Sequence, residues 1–315
     1  MNDGVGRVSD ANNISDVCVL IPTLNESATI HDIVREFREH DYRVVVIDGN
    51  STDDTRKLAR DAGAEVIIQT GKGKGQAVTQ AFFTLEDEYV VMIDGDGTYL
   101  PVEVDAMLAP ILSGEADHVI GNRFANFSKG AFTKLNLFGN MILNKLFCHI
   151  YGVCPKDILS GYRAFNKNAY KAIELNKTGF EIETEITVEC VKKGLRIVEV
   201  PITYLARHED AQTKLNPLRD GFKIGMTIQK LAKWFNPKFY FVVPGVLFTL
   251  SGVGVGIYVV NEWLNNVTHV PLTILATLLI TIGLQLFIFA MIADMIATLH
   301  QETLREFRYV LQKGR

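Results

Sequence analysis

The chain has 315 residues, 22% of them charged and 48% hydrophobic, and a formal net charge of −4. That is enough for one sizeable α/β domain plus something smaller, and the near-neutral balance gives no reason to expect a nucleic-acid partner. The four cysteines, Cys18, Cys148, Cys154 and Cys190, have no C-x-x-C spacing, so reduced, mostly buried thiols are expected rather than disulfides or a zinc site.

Residues 1–15 carry charge and no apolar core, and are expected to form a flexible tail, neither signal peptide nor anchor. Strand-like and helical runs then alternate. "VCVLIPT" (17–23) precedes "ATIHDIVREFREH", "YRVVVIDG" (42–49) precedes "TDDTRKLARDAG", and "AEVIIQT" precedes "GQAVTQAFFTLED" before "EYVVMIDGDG". Short, nearly all-apolar strands joined through helices describe a parallel sheet covered on both faces. Ligands of such sheets collect beyond the carboxyl ends of the strands. The polar sets at 23–26, 48–53, 71–75 and 94–98 all fall there.

The stretch "GKGKGQ" (71–76) has no Ser or Thr after a Gly-Lys and no G-x-G-x-x-G pattern, so neither common phosphate-binding fingerprint applies. It leaves backbone amides and two lysines at a helix start, suited either to an anionic ligand or to a solvated turn. Asp94 and Asp96 are flanked by Gly95 and Gly97. Carboxylates at i and i+2 can offer hard oxygen ligands to Mg²⁺ or Mn²⁺, which would neutralise a diphosphate; an acidic Asp-Gly turn is the plainer alternative.

Beyond residue 238 the composition changes. "FYFVVPGVLFTLSGVGVGIYVV" (239–260) and "VPLTILATLLITIGLQLFIFAMIA" (270–293) hold no charged residue. Each is long enough for a bilayer core of about 30 Å. Lys230, Lys233 and Lys238 precede the first span, and Arg305, Arg308, Lys313 and Arg315 follow the second, while the loop "NEWLNNVTH" has neither Lys nor Arg. The expected topology is a multi-pass cell-membrane protein with both ends cytoplasmic. The loop carries a glycosylation sequon at Asn266-Val267-Thr268. "DGFKIGMTIQKLAKWF" mixes lysines with apolar residues at helical spacing, as a helix lying in the membrane interface would. The expected division is a tail at 1–15, an α/β domain at 16–219, an interfacial helix at 220–238, two spans within 239–295 and a cytoplasmic helix at 296–315.

"IPTLNE", "VIDGNSTDDT", "GKG", "DGDGTY" and "GNR", in that order and spacing, resemble the family-2 glycosyltransferases of GT-A fold. "DILSGYRAF", "FEIETEI" and "VPITYLAR" are similar to the dolichyl-phosphate (polyprenyl-phosphate) sugar transferases. "HVIGNRFA" and the two spans resemble archaeal members that charge dolichyl phosphate for S-layer N-glycosylation. The resemblance covers about residues 16–215. It implies a Rossmann-like GT-A domain and inverting, metal-dependent transfer of one sugar from a nucleotide-sugar donor to dolichyl phosphate. The archaeal likeness favours a UDP-sugar such as UDP-GlcNAc or UDP-Glc; GDP-mannose is the alternative donor.

Carried onto this sequence, the resemblance implies that Pro22, Thr23, Asn25 and Glu26 border the nucleotide pocket, Asp48 hydrogen-bonds the base, and Lys74 lies near the same site. Asp94 and Asp96, with Gly95 between them, would hold Mg²⁺ or Mn²⁺, with Thr98 at a third ligand position that is often Gln. Arg123 would engage the acceptor phosphate, and Lys134 and Asn136 stand where other members carry Arg and Ser. Ser160 and Arg163 would support the sugar end, with Asp157 nearby, while Arg207 and Lys214 would clamp diphosphate or acceptor on closure. The family's paired Asp reads Asp48-Gly49 here. Plainer readings are salt bridges from Arg163 and Arg207 to Glu183 or Glu185, and a turn-capping Asp157. Glu183 and Glu185 themselves suggest a structural or sugar-hydroxyl role.

A phosphate acceptor needs no general base, because its second pKa is about 6. Two other functions compete. A processive polysaccharide synthase would carry a Gln-x-x-Arg-Trp signature, for which "QKLAKW" (229–234) has the wrong spacing and Lys for Arg. A non-catalytic scaffold or glycolipid flippase component would need more than two spans for a path, although a homo-oligomer could build one.

Overall fold

The structure is a computed structural model that describes residues 16–176, 179, 181–207, 221–222, 224–228 and 237–313. The expected N-terminal tail, Lys214 and most of the expected interfacial helix lie outside these residues. The chain divides into two compact units, Met1–Ile228 and Gln229–Arg315.

In the first unit the order is β1 (Val17–Thr23), α1 (Ile30–Glu39), β2 (Arg43–Asp48), α2 (Thr55–Asp61), β3 (Glu65–Ile68), α3 (Lys74–Thr84) and β4 (Tyr89–Met92). After a 3₁₀ turn come α4 (Val104–Leu112), β5 (His118–Phe127), α5 (Lys134–Tyr151), β6 (Arg163–Asn166), α6 (Lys167–Ala172), α7 (Ile182–Lys192) and β7 (Ile197–Tyr204). The sheet order is β3-β2-β1-β4-β6-β5-β7. Strands β1 to β4 pair in parallel, as the alternation of strands and helices predicts.

The continuous apolar strands have a direct explanation. Successive side chains of β1 point to opposite faces, so Val17, Val19 and Ile21 join one core with Ile33, Val34 and Phe37 of α1 and Met107 and Leu108 of α4. Cys18 and Leu20 join the other, with Val78, Ala81 and Phe82 of α3 and Ile182 and Ile186 of α7. In α1 the residues Ile30, Ile33, Val34 and Phe37 are buried, the spacing that places one helix face on the sheet.

Two expectations are corrected. The sheet is mixed, because β6 runs antiparallel to both β4 and β5. Its register sets Arg163 opposite Met92, so the turn entering β6 lies beside the turn leaving β4. Second, Cys148 and Cys154 are joined as a disulfide near the end of α5, whereas Cys18 and Cys190 are free and buried. Scattered cysteines carry no pairing signal, but the helix end at Tyr151 and Gly152 turns the chain back on itself and brings these two together.

The second unit holds α8 (Pro237–Leu264) and α9 (Val270–Lys313). Their apolar stretches, Tyr240–Leu264 and Val270–Ile296, are long enough to cross a membrane, and only 11% and 17% of their most apolar windows are buried. The α9 helix runs without a break through the expected boundary at 296. Small residues let the two helices approach closely: a Cβ added at Gly252 would lie 2.9 Å from Ile280 N and 3.0 Å from Ala276 O.

Replacing Leu20, fully buried in the centre of β1, with Ala is expected to destabilise the first unit by about 2–5 kcal/mol. A fall in the thermal midpoint of the detergent-solubilised protein would register it, and an unchanged midpoint would contradict this packing.

Candidate active site

Strand ends β1 and β2 meet through their loops. Asp48 closes β2, wholly buried, and its carboxylate accepts hydrogen bonds from Ser51 N at 3.0 Å and from the Ser51 hydroxyl, with Arg56 Nε 3.5 Å away. The Ser51 hydroxyl accepts from Asn25 N, the Thr55 hydroxyl accepts from Glu26 N, each at 2.9 Å, and Asn25 Oδ1 accepts from Thr52 N at 2.8 Å. Asn25 has a φ of 53°, a left-handed conformation that Asn tolerates better than most residues. Pro22 and Thr23 are the last residues of β1, in register with Ile47 and Asp48. The buried hydroxyl of Thr23 has no hydrogen-bond partner among the described residues.

The turn after β4 packs against this end of β1. Ile93 N donates to Leu20 O at 3.0 Å, and the Thr29 hydroxyl donates to Gly95 O at 2.5 Å. A Cβ at Gly95 would lie 2.9 Å from Thr23 Cγ2, so any side chain there would force Thr23 aside. The backbone then turns at Gly97, whose φ is +73°, a conformation natural to glycine.

Both carboxylates of this turn are paired with cations from distant loops. Lys74, the first residue of α3, hydrogen-bonds Asp94 and lies 2.5 Å from Glu183 Oε1 of α7. Burial works against the charge on Lys74, but Asp94 and Glu183 outweigh it and hold its pKa above the ordinary lysine range. Asp96 binds Arg207, just past β7, through Nε at 3.1 Å and through its terminal NH₂. The Thr98 hydroxyl donates to Asp96 Oδ1 at 2.6 Å. Burial pushes the Asp96 pKa up, yet Thr98 and Arg207 together keep it below the usual carboxylate value.

The residues around β6 close the corner. Arg123 of β5 forms a two-pronged ion pair with Asp157, both contacts at 2.7 Å, and its guanidinium lies 5.2 Å from the ring centre of Tyr204 and 5.6 Å from that of Phe132. Asp157 therefore does more than cap a turn. Arg163 is fully buried and donates to Ser160 O at 2.8 Å, Ile158 O at 2.7 Å and the Thr187 hydroxyl at 2.9 Å. Its remaining partner is His118 Nε2 at 3.0 Å. An arginine cannot accept, so Nε2 is the unprotonated nitrogen and Nδ1 donates to Ala164 O at 3.1 Å. Burial and the neighbouring Arg163 charge hold the His118 pKa well below its ordinary value, consistent with that neutral form. Arg163 thus ties down the turn that carries Ser160 and Gly161.

Gly161 is the point of closest approach. A Cβ there would lie 2.7 Å from Asp94 Cγ and 2.9 Å from Oδ1, and its amide donates to the Tyr99 hydroxyl at 2.9 Å.

Asp48, Lys74, Asp94, Gly95, Asp96 and Arg207 therefore come together at the carboxyl ends of the parallel strands with the 22–26 segment. Ser160 is buried beside them in the turn that Arg163 supports. Lys134 is exposed at the start of α5, where the Thr133 hydroxyl caps the helix by accepting from Asn136 N at 3.1 Å. The expected salt bridges from Arg163 and Arg207 to Glu183 or Glu185 do not form among the described residues; Glu183 pairs with Lys74 instead. Sequence reasoning also missed Tyr99, His118 and Thr187, which act through packing between elements far apart in the chain. Among the described residues no three His, Cys, Asp or Glu side chains gather as a metal cluster. Two hard carboxylates separated by one glycine, each already held by a cation, still form a donor set suited to a divalent ion whose other ligands come from a substrate.

Gly161→Ala would drive a methyl group into the Asp94 carboxylate. A displacement of about 1 Å can cost on the order of 10²-fold in rate, so turnover should fall by about that factor while the circular dichroism spectrum stays unchanged. Full activity in this variant would show that the position of Asp94 does not matter.

The model of glycosyl transferase family 2 matches residues 18–173. Glycosyltransferase AglJ of Haloferax volcanii is 44% identical over 292 residues, covering 92% of this chain and 96% of its own length. The dolichyl-phosphate hexose transferase of the same organism is 34% identical, covering 69% of this chain and 93% of that protein. A UDP-N-acetylglucosamine–dolichyl-phosphate N-acetylglucosaminyltransferase of Methanococcus voltae is 26% identical, with shares of 66% and 92%. Glucosyl-3-phosphoglycerate synthase of Mycobacterium tuberculosis, solved with Mn²⁺, UDP and glucosyl-3-phosphoglycerate, superposes with a TM-score of 0.56 at 21% identity, over 69% of this chain and 79% of that one. That likeness is one of fold, and it is the GT-A fold that the motifs imply. With a relative this similar over nearly its whole length, the chain belongs to glycosyl transferase family 2 and is a glycosyltransferase.

Proposed function

We propose that the enzyme transfers a single sugar from a UDP-sugar, such as UDP-N-acetylglucosamine or UDP-glucose, to dolichyl phosphate with inversion at the anomeric carbon. The observation that carries this reading is the acidic pair Asp94 and Asp96, held at the strand ends by Lys74 from the start of α3 and Arg207 from beyond β7. The named activities of the dolichyl-phosphate relatives support the acceptor, and that of the Methanococcus relative supports a UDP-sugar.

Asp94 and Asp96 would hold Mg²⁺ or Mn²⁺, which when bound supplies positive charge to the leaving diphosphate. The relative in fold that was solved with Mn²⁺ and UDP is consistent with such an ion. Thr98 orients Asp96 through its hydroxyl. The unpartnered Thr23 hydroxyl is a group that a bound donor would satisfy, and Pro22, Asn25, Glu26 and Asp48 would line the nucleotide side. Arg207 would turn from Asp96 to the diphosphate. Lys214 belongs to the same proposal by resemblance, as does Lys134 for the acceptor phosphate.

Arg123 would lower the repulsion between the incoming phosphate and the donor's diphosphate. Asp157 accepts from Arg123 N, Nε and its terminal NH₂, so the guanidinium is aimed before any ligand arrives. Ser160 and Arg163 would shape the sugar end through the turn they share. Because the acceptor is already largely dianionic near neutral pH, positioning and charge compensation would supply most of the rate enhancement.

The two apolar helices would anchor the enzyme in the cell membrane with both ends cytoplasmic, tethering the catalytic unit to the bilayer that holds a lipid acceptor. Their composition and length support this anchoring.

Full-length protein in nanodiscs, incubated with dolichyl phosphate and separate UDP- and GDP-sugars, should yield one dolichyl-phosphate sugar by mass spectrometry. A long polymer would point instead to a processive synthase, and no product with any donor would remove the enzymatic reading of the acceptor. Asp96→Ala should abolish turnover and leave the fold intact; near-normal activity with added Mg²⁺ or Mn²⁺ would contradict the metal role.

A further inference from the structure

Lys74 is held by more negative charge than it needs. Its ammonium bridges Asp94, after β4, and Glu183, on α7, and the side chains are 13%, 27% and 5% exposed respectively. One carboxylate would neutralise one lysine. Burying a second against it adds a desolvation penalty that the pairing must overcome, and Glu183 lies on an element that contributes no other charge to the acidic turn.

The arrangement gains a purpose when Asp94 is engaged elsewhere. A divalent cation and the Lys74 ammonium compete for the same carboxylate, so Lys74 must release Asp94 before a cation can sit there. Glu183 then keeps the ammonium compensated in place. Two positive groups would still face each other in a partly buried corner, where their repulsion is screened less than in open solvent. An anion arriving with the cation removes that repulsion.

We propose that Lys74 and Glu183 form a counter-ion switch on Asp94 that makes binding of the divalent cation and of a nucleoside diphosphate mutually dependent. The inference rests on Asp94 and Asp96 being the metal seat. Lys74 and Glu183 act as positioning residues: Lys74 sets the threshold for cation entry, and Glu183 lowers it by offering Lys74 a second partner. Coupling of this kind is reciprocal, so the cation strengthens diphosphate binding by the same factor.

The test is Mn²⁺ binding to the full-length protein in nanodiscs, read from the loss of the free-ion electron paramagnetic resonance signal, alone and with UDP or GDP. In the parent protein one of the two diphosphates should tighten Mn²⁺ binding by about tenfold or more. Lys74→Met should bind Mn²⁺ alone about tenfold more tightly, with a smaller gain from the diphosphate. Glu183→Gln should weaken binding of Mn²⁺ alone, because Lys74 is left with Asp94 only. On the Lys74→Met background, Glu183→Gln should change nothing. Lys74→Gln, which keeps a hydrogen-bond donor for both acids, provides the same comparison if the methionine variant misfolds. Mn²⁺ binding unchanged or weaker without Lys74, or an effect of Glu183→Gln that persists without Lys74, overturns the proposal. Failure of the parent protein to bind Mn²⁺ even with either diphosphate would sink the metal seat as well. Binding that Asp96→Ala abolishes but Lys74 does not influence would sink the switch alone.

Discussion

Two carboxylates cannot be packed into a crowded corner without positive charge brought to them, and this requirement organises the catalytic unit. Desolvating an unpaired carboxylate costs several kcal/mol. Asp94 and Asp96 are compensated by Lys74 and Arg207, one from the start of α3 and one from beyond β7. Neither cation is adjacent in sequence, one lying 20 residues before Asp94 and the other 111 after Asp96, so charge compensation of the turn depends on packing between separate elements. The glycines follow from the same crowding: at Gly95 and Gly161 a methyl group would displace Thr23 or the Asp94 carboxylate.

The reversal at β6 supplies the other wall. Because β6 runs antiparallel to β4, the beginning of one strand meets the end of the other. A parallel strand at that position would have carried the Ser160-Gly161-Tyr162 turn to the far edge of the sheet. Arg163 fixes the turn through two carbonyls, a hydroxyl and a neutral imidazole, which satisfies a buried guanidinium with dipoles. Arg123 and Asp157 form a separate compensated pair next to it. Charge in the crevice is thus balanced locally, and a ligand that disturbs one pair leaves the other intact.

The parallel half of the sheet was legible because its strands are buried on both faces and read as unbroken apolar runs, such as residues 17–23. The strand-end positions of Asp48, Asp94 and Asp96 followed from that reading. Partner choice was not legible. Nothing local to Lys74 distinguishes it from Lys72, and only the packing of α3 against the sheet places one of them on Asp94 and Glu183. The direction of β6 escaped for a similar reason: four residues of strand carry no orientation until β4 and β5 enclose them. The Cys148–Cys154 pairing depends on how the chain turns after α5, and the unbroken α9 on a helical backbone continuing past a change in polarity.

The pairing of β6 with β4 also has a kinetic side. The contact between Met92 and Arg163 closes a chain segment of 71 residues (163 minus 92), whereas β1 and β2 meet across a single helix. Long-range pairings meet their closure entropy before their contacts can repay it. The loops after β1 and β2 can therefore form from nearby chain, while the wall against Asp94 waits for one of the long-range joins in the sheet. The acidic corner is complete only once this long-range join is made, so its geometry depends on chain far from the turn itself.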